Sequence, residues 1–365
     1  MAGRGTALDG QQPRHGGNLR QQWSGLCLAA APSDRTRAQG WSAQGIAAGS
    51  GWQSQPFVLS LLQQRQTAGP GDTDSDRPDS HVRHGAADRG ICGTLASLTR
   101  SRHMAFFEHD DCSLHYEEYG QGDPVLLLHG LGSSCQDWEY QIPTLAAQYR
   151  VIVMDMRGHG RSDKPQERYS IQGMSDDVEA LIEHLRLGPV HVVGLSMGGM
   201  IGFQLAVDHP HLLKSLCIVN SAPQVKIRSP GDVWQWARRW TLSRLVSMEA
   251  MGKALGKLLF PKPEQAELRR KMAERWGRND KRAYLASFDA IVGWGVEHKL
   301  ERITCPTLII AADHDYTPVS LKEAYVKRIA NARLVVIRDS RHATPLDQPE
   351  QFNRTLLEFI GASKV

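Results

Sequence analysis

The chain has 365 residues, 41% hydrophobic and 22% charged, which is enough for an ordinary buried core and for two or three domains. Its formal net charge is only +4, with no Lys/Arg run, so nucleic acid is not an expected partner. Six scattered cysteines with no CxxC pair speak against a disulfide framework or zinc, and no apolar stretch approaches the ~18 residues of a membrane span.

Residues 1–103 contain no Lys, Glu or Tyr, but 11 Arg, 15 Gly and 11 Gln. Apolar bursts such as Phe57–Leu62 are short, and Gly, Gln, Ser and Asp break every period. Such a segment cannot bury enough apolar area to offset its ordering entropy, so it is expected to be a disordered extension. Arg without Lys and Asp without Glu is the signature of a GC-rich frame not selected as protein. The next methionine after Met1 is Met104, where the chain becomes protein-like, and translation is expected to start there. The run Leu26–Ala31 is short and late for a secretory signal. The expected location is cytoplasmic, and organellar or secreted only if residues 1–103 carry a signal.

From Ala105 the chain alternates strand and helix. Cys112–Tyr119 reads as a strand. Pro124–Leu128, Arg150–Met154, Val190–Val193, Ser215–Val219, Thr307–Ile310 and Leu334–Ile337 are continuous apolar runs, as expected of parallel strands covered on both faces. Helical periods occupy Ile171–Leu187, Met200–Val207 and Gln351–Ile360, with Pro349 suited to a first helical turn. The expected fold is α/β, a mostly parallel, doubly wound sheet with its crevice at the carboxyl ends of the strands. Residues 223–301 break the rhythm. They hold five of the nine tryptophans, an excess of Lys and Arg, and helical patterns without a convincing strand. The expected organisation is a core of 104–222 and 302–365 with a helical cap of 223–301. Of the five tryptophans in it, Trp234, Trp236, Trp240, Trp276 and Trp294, most are expected to pack in the core and at least one to face the crevice, favouring uncharged, partly apolar acyl groups. Changes at Trp234, Trp236 and Trp294 are expected to alter chain-length preference.

The chemistry concentrates at turns. Gly194-Leu195-Ser196-Met197-Gly198-Gly199 is G-x-S-x-G between an apolar strand and a helical period. A sharp strand-to-helix turn lifts the Ser196 hydroxyl above the sheet, and the glycines remove side chains that would collide there. The helix N-terminus offers free N–H groups to a developing oxyanion. His129-Gly130-Leu131-Gly132 follows the first buried strand. Its Leu131 N–H, with that of Met197, is placed to complete an oxyanion hole, while the His129 imidazole reads as a structural hydrogen-bonder. Asp155–Ser162 reads as a structural loop of the crevice wall. A serine needs a base and an acid to orient it. His342 lies after a late strand and before the final helix. Asp313 and Asp315 both follow the preceding strand. Asp315 is the favoured acid, because Asp313 is better placed for local turn hydrogen bonds.

Over about residues 105–363 these motifs resemble the α/β-hydrolase family. The matches are His129-Gly130, Gly158–Ser162, Gly194–Gly199, the Asp315 turn and the His342 loop, all in family order. They look most like the capped branch of small-molecule esterases, enol-lactone hydrolases and C–C hydrolases. The resemblance implies Ser196 as nucleophile, His342 as base and Asp315 as its partner, with Leu131 and Met197 as oxyanion donors. Family members place the acid three residues after the Gly or Ala that ends the strand. Counted from Ala312 this is Asp315, and counted from Ala311 it is His314. Haloalkane dehalogenases and epoxide hydrolases carry Asp at the nucleophile, so Ser196 argues against both.

The expected activity is a serine hydrolase that cleaves an ester, lactone or thioester of a small molecule through an acyl-enzyme, with no metal or organic cofactor. The alternatives are C–C hydrolysis of a vinylogous diketone, a non-turnover ligand receptor on this scaffold, and a membrane-surface lipase using the basic segment Trp234–Leu259. The expected partner is a small molecule with a carbonyl centre, and oligomeric state is not set by the sequence.

Overall fold

A computed structural model describes residues 103–226 and 229–363. The expected disorder of residues 1–103 therefore falls, but for His103, outside the described residues. Strand β1 (His103–His109) opens the described chain and pairs antiparallel with β2 (Cys112–Tyr119). Their two-residue turn is Asp110-Asp111, both at positive φ (47° and 53°), the twist that matches a tight hairpin.

Next come β3 (Pro124–Leu128), α1 (Ile142–Ala146), β4 (Arg150–Met154), α2 (Ile171–His184), β5 (Val190–Leu195), α3 (Met197–Asp208) and β6 (Leu213–Val219). Four helices intervene: α4 (Pro230–Leu245), α5 (Met248–Leu259), α6 (Ala266–Gly277) and α7 (Lys281–Ile291). The chain ends with β7 (Thr307–Ala312), α8 (Val319–Val326), β8 (Ala332–Ile337), α9 (Thr344–Asp347) and α10 (Pro349–Ala362). The eight-stranded sheet runs β1-β2-β4-β3-β5-β6-β7-β8. Only β1–β2 and β2–β4 are antiparallel.

The alternation of side chains along each strand divides the core in two. Leu126, Leu128, Ile152, Val192, Leu216 and Ile309 face α2 and α3. Val125, Leu127, Val153, Val193, Cys217 and Ile310 face the layer of α1 and α10. Every residue of β5 and β7 is buried, which is why these runs read as continuously apolar.

Local signals set the helix starts. Ser170, Ser247 and Asp280 cap α2, α5 and α7, accepting hydrogen bonds from the backbone N–H groups of Gly173, Ala250 and Ala283. Between β6 and β7 the described residues hold only one isolated bridge, Gln224 to Gly295. The inserted helices form their own apolar cluster, including Met248, Met251, Met272, Trp276 and Tyr284. That cluster continues onto Leu131, Tyr316, Ala343 and Leu346, in the segments that follow β3, β7 and β8. No helix among the described residues is long and apolar enough to cross a membrane.

Candidate active site

Strands β3 and β5 are neighbours, and the chain leaves β3 toward β4 on one side and β5 toward β6 on the other. Such a switch point opens a crevice at the carboxyl ends of the strands. The segments after β3 and β5 meet there. A Cβ built on Gly130 would lie 3.4 Å from the Cβ of Ser196.

Ser196 sits between β5 and α3 at φ 55° and ψ −112°. A side chain held there costs about 1–3 kcal/mol and persists only if the surroundings enforce it. Here they do. Its N–H donates to Val219 O at 2.9 Å, and its carbonyl accepts from Ser221 Oγ at 2.7 Å and from Met200 N at 3.1 Å. A Cβ on Gly194 would lie 2.3 Å from Gly198 O, across the turn. One on Gly198 would lie 2.2 Å from Leu128 O, so this glycine serves the approach of α3 to the end of β3. Met197 opens α3, where the first N–H groups have no carbonyl partner within the helix.

The His342 ring is held from two sides. Its Nδ1 lies 2.6 Å from Asp315 Oδ1, and the Tyr316 ring stacks on it at 4.2 Å and 25°. The Asp315 carboxylate is fully buried, whereas the His342 side chain is 16% exposed, so the acid is sealed and the imidazole keeps access to solvent. Burial alone would raise the Asp315 pKa, but His342 and Lys322 hold it well below the usual carboxylate range. Asp313 faces elsewhere, and its oxygens accept from Asp339 N at 2.9 Å and Ser340 N at 3.0 Å.

Two residues not singled out in the sequence organise this region. Asn220, at φ 46° just beyond β6, donates through Nδ2 to His342 O (2.9 Å), Arg341 O (3.2 Å) and Thr344 Oγ1 (2.8 Å). Its Oδ1 accepts from Ala312 N at 2.8 Å. It thereby joins the ends of β6 and β7 to the His342 loop. Ser221, next in the chain, grips the carbonyl of Ser196 as described. A polar pair directly ending a buried strand was the available signal.

His129 is structural, as its position after β3 led us to expect. It donates through Nδ1 to Gly130 O (2.8 Å) and accepts at Nε2 from Met156 N (3.0 Å), so both ring nitrogens are engaged. Burial pushes its pKa below the ordinary histidine value. The 155–162 loop is built on Asp155, which accepts from Cys135 N (2.7 Å), Arg161 N (2.9 Å) and His115 Nδ1 (3.0 Å). Arg157 locks the same loop to α2 through a bidentate pair with Asp177, both contacts at 2.6 Å.

The tryptophans of residues 223–301 take different places. Trp234 is 61% exposed. Trp236 packs on Phe288 at 5.5 Å. Trp294 donates Nε1–H to Gln204 Oε1 at 2.7 Å, about 12 Å along α3 from Ser196. Trp276 of α6 reaches the segment after β3. A Cβ on Gly132 would lie 3.0 Å from its ring, and Asn279 Nδ2 donates to Gly132 O at 2.7 Å. Helical periodicity shows which tryptophans share a face, but not which face meets the crevice.

Two groups of metal-ligating side chains occur among the described residues: His115, Cys135 and Asp155, and Asp176, Glu179 and His209. In the first, Asp155 is engaged as above, and burial pushes the Cys135 thiol well above its ordinary pKa, so it keeps its proton. A thiol ligand needs the opposite.

Residues 123–349 match the model of the alpha/beta hydrolase fold family. The chain belongs to the α/β-hydrolase family. It is a hydrolase, and its mostly parallel sheet is the sheet of that family. The chain is 29% identical over 252 residues to 3-oxoadipate enol-lactonase 2 of Acinetobacter baylyi, covering 67% of this chain and 92% of that protein. The enol-lactonase structure from Burkholderia xenovorans LB400 superposes with a TM-score of 0.65 at 26% identity, over 70% of this chain and 99% of that one. The esterase EaEST from Exiguobacterium antarcticum does so with a TM-score of 0.65 at 28% identity, over 70% and 99%.

Proposed function

We propose that this hydrolase cleaves an ester, lactone or thioester of a small molecule through an acyl-enzyme on Ser196, His342 and Asp315. The observation that carries the reading is the 2.6 Å contact between His342 Nδ1 and Asp315 Oδ1. It fixes the tautomer and leaves Nε2 to take a proton from a nucleophile. Ser196 Oγ attacks the substrate carbonyl carbon as Nε2 accepts its proton. The tetrahedral oxyanion is held by the N–H groups of Leu131 and Met197, each such donor being worth about 10²–10³ in turnover. Collapse expels the leaving group with the proton from His342. Water then attacks the acyl carbonyl through the same base and frees Ser196. No step calls for a metal or an organic cofactor.

In this reading residues 223–301 form a cap over a core of 104–222 and 302–365. The apolar cluster that joins the inserted helices to Leu131 and Tyr316 favours an uncharged, partly apolar acyl group. The names of the enol-lactonase and esterase relatives agree with a small ester or lactone as substrate.

The test is turnover of p-nitrophenyl esters of graded chain length, of lactones and of a vinylogous diketone, with product analysis. Ser196→Ala should lose roughly six orders of magnitude in kcat with its fold intact. Ester turnover within tenfold of wild type would overturn the assignment. Cleavage of the diketone alone would move the chemistry to C–C hydrolysis.

A further inference from the structure

Asp315 has a second partner that the reaction above does not use. Lys322, on α8, has no exposed side-chain surface, and neither has Asp315. Its Nζ lies 2.5 Å from Asp315 Oδ2 and 2.7 Å from Thr317 O, and it also meets Thr317 Oγ1. All three ammonium protons therefore have acceptors. The Thr317 hydroxyl in turn donates to Asp315 Oδ2 at 2.7 Å. The two carboxylate oxygens are thus divided, Oδ1 to His342 and Oδ2 to Lys322 and Thr317.

A lysine in this place is costly. Fully buried lysines are among the rarest of residues, and an apolar side chain of like volume often serves stability as well as a buried ion pair does. Burial pushes the Lys322 pKa down, and the adjoining Asp315 carboxylate works against that shift. Its charge sits on the far side of the carboxylate from His342, and that placement has an electrostatic consequence. Closely coupled groups titrate as a pair, and a fixed positive charge beside the pair disfavours one more proton wherever that proton resides.

We propose that Lys322 is a positioning residue for the Asp315–His342 pair, pinning the far oxygen of the carboxylate and opposing, by its charge, protonation of the pair. The proposal rests on the Ser196–His342–Asp315 reading. The consequence is a base that stays free to accept a proton further into the acid range than the same pair would alone. The other groups around the pair come from several elements. Tyr325 of α8 and Tyr316 sense the Asp315 charge, Arg239, Tyr284 and Arg341 act on Tyr316, and Asp347 accepts from Arg341 N at 2.7 Å. Of these elements, only α8 places a cation in direct contact with the carboxylate.

The experiment is kcat/KM against pH for wild type, Lys322→Met and Lys322→Arg on one p-nitrophenyl ester, with melting temperatures. The acid limb reports the free base. In Lys322→Met it should move to higher pH by about one unit, while Lys322→Arg, which keeps the charge, should hold it near the wild-type position. A Lys322→Met limb at the wild-type midpoint, with only the melting temperature or kcat lowered, would reduce Lys322 to packing and overturn the proposal. Should Lys322→Met not fold, the ¹⁵N shift of Lys322 Nζ in the wild-type protein decides. An ammonium throughout the acid limb supports the proposal, and a neutral amine there overturns it. Failure of the underlying triad shows separately, as ester turnover that survives Ser196→Ala.

Discussion

Asp313 and Asp315 stand two residues apart and hold different partners. Asp315 turns to the imidazole of His342, and Asp313 to the backbone N–H groups of Asp339 and Ser340. Both tie the end of β7 to the loop after β8, but only one of them touches a group able to move a proton. Asp315→Asn should therefore lower turnover by about 10⁴, as expected when the acid of such a triad is amidated. Asp313→Asn should leave kcat near wild type and lower the melting temperature, because an amide replaces a carboxylate that accepts two backbone bonds. Assaying both variants on one ester, with melting curves, separates the roles, and the reverse ranking would move the acid to Asp313.

Asn220 is the joint between β6, β7 and the His342 loop, and its side chain is buried with four hydrogen-bond partners. Asn220→Ala strands buried donors and acceptors at about 1–3 kcal/mol each. The expected outcome is a lower melting temperature together with a fall in kcat of about tenfold, the order produced by losing about 1.4 kcal/mol of transition-state stabilisation. A variant that melts lower but keeps its full kcat would confine Asn220 to stability.

Trp276 lies against Gly132, beside the Leu131 N–H proposed to hold the oxyanion. Trp276→Ala should open space there and shift the chain-length optimum toward longer acyl esters, with a larger change in KM than Trp234→Ala produces. Trp234 is exposed and should be nearly neutral. Equal, proportionate losses on all chain lengths would assign Trp276 to packing alone.

Among the described residues the buried core begins at Phe107, and β1 pairs with β2 from His103 onward. A chain started at Met104 keeps six of the seven register pairs of that hairpin. Its melting temperature and ester turnover should match those of the full chain. A drop of several degrees or loss of solubility would show that residues 1–103 contribute to the fold.

The sequence alone determined what depends on neighbours in the chain. β3 and β4 were legible to the residue, because a parallel strand buried on both faces is a short apolar run bounded by turn residues. The sharp turn at Ser196 was legible because a backbone that passes this close to Gly198 O and Leu128 O admits only glycine at Gly194 and Gly198. His342 and the pair Asp313 and Asp315 were legible as loops following late strands. Tertiary structure decided what depends on distant residues meeting. Asn220 reaches His342 across 122 positions, and Trp276 meets Gly132 through the docking of a whole helix. Lys322 lies only seven residues from Asp315, yet in sequence it is one charged residue on a short helix. Its burial follows from how α8 packs on the sheet, and no local period encodes that. Hydrophobic pattern and backbone sterics are local and readable. Which polar group ends up opposite which is settled only when the layers close.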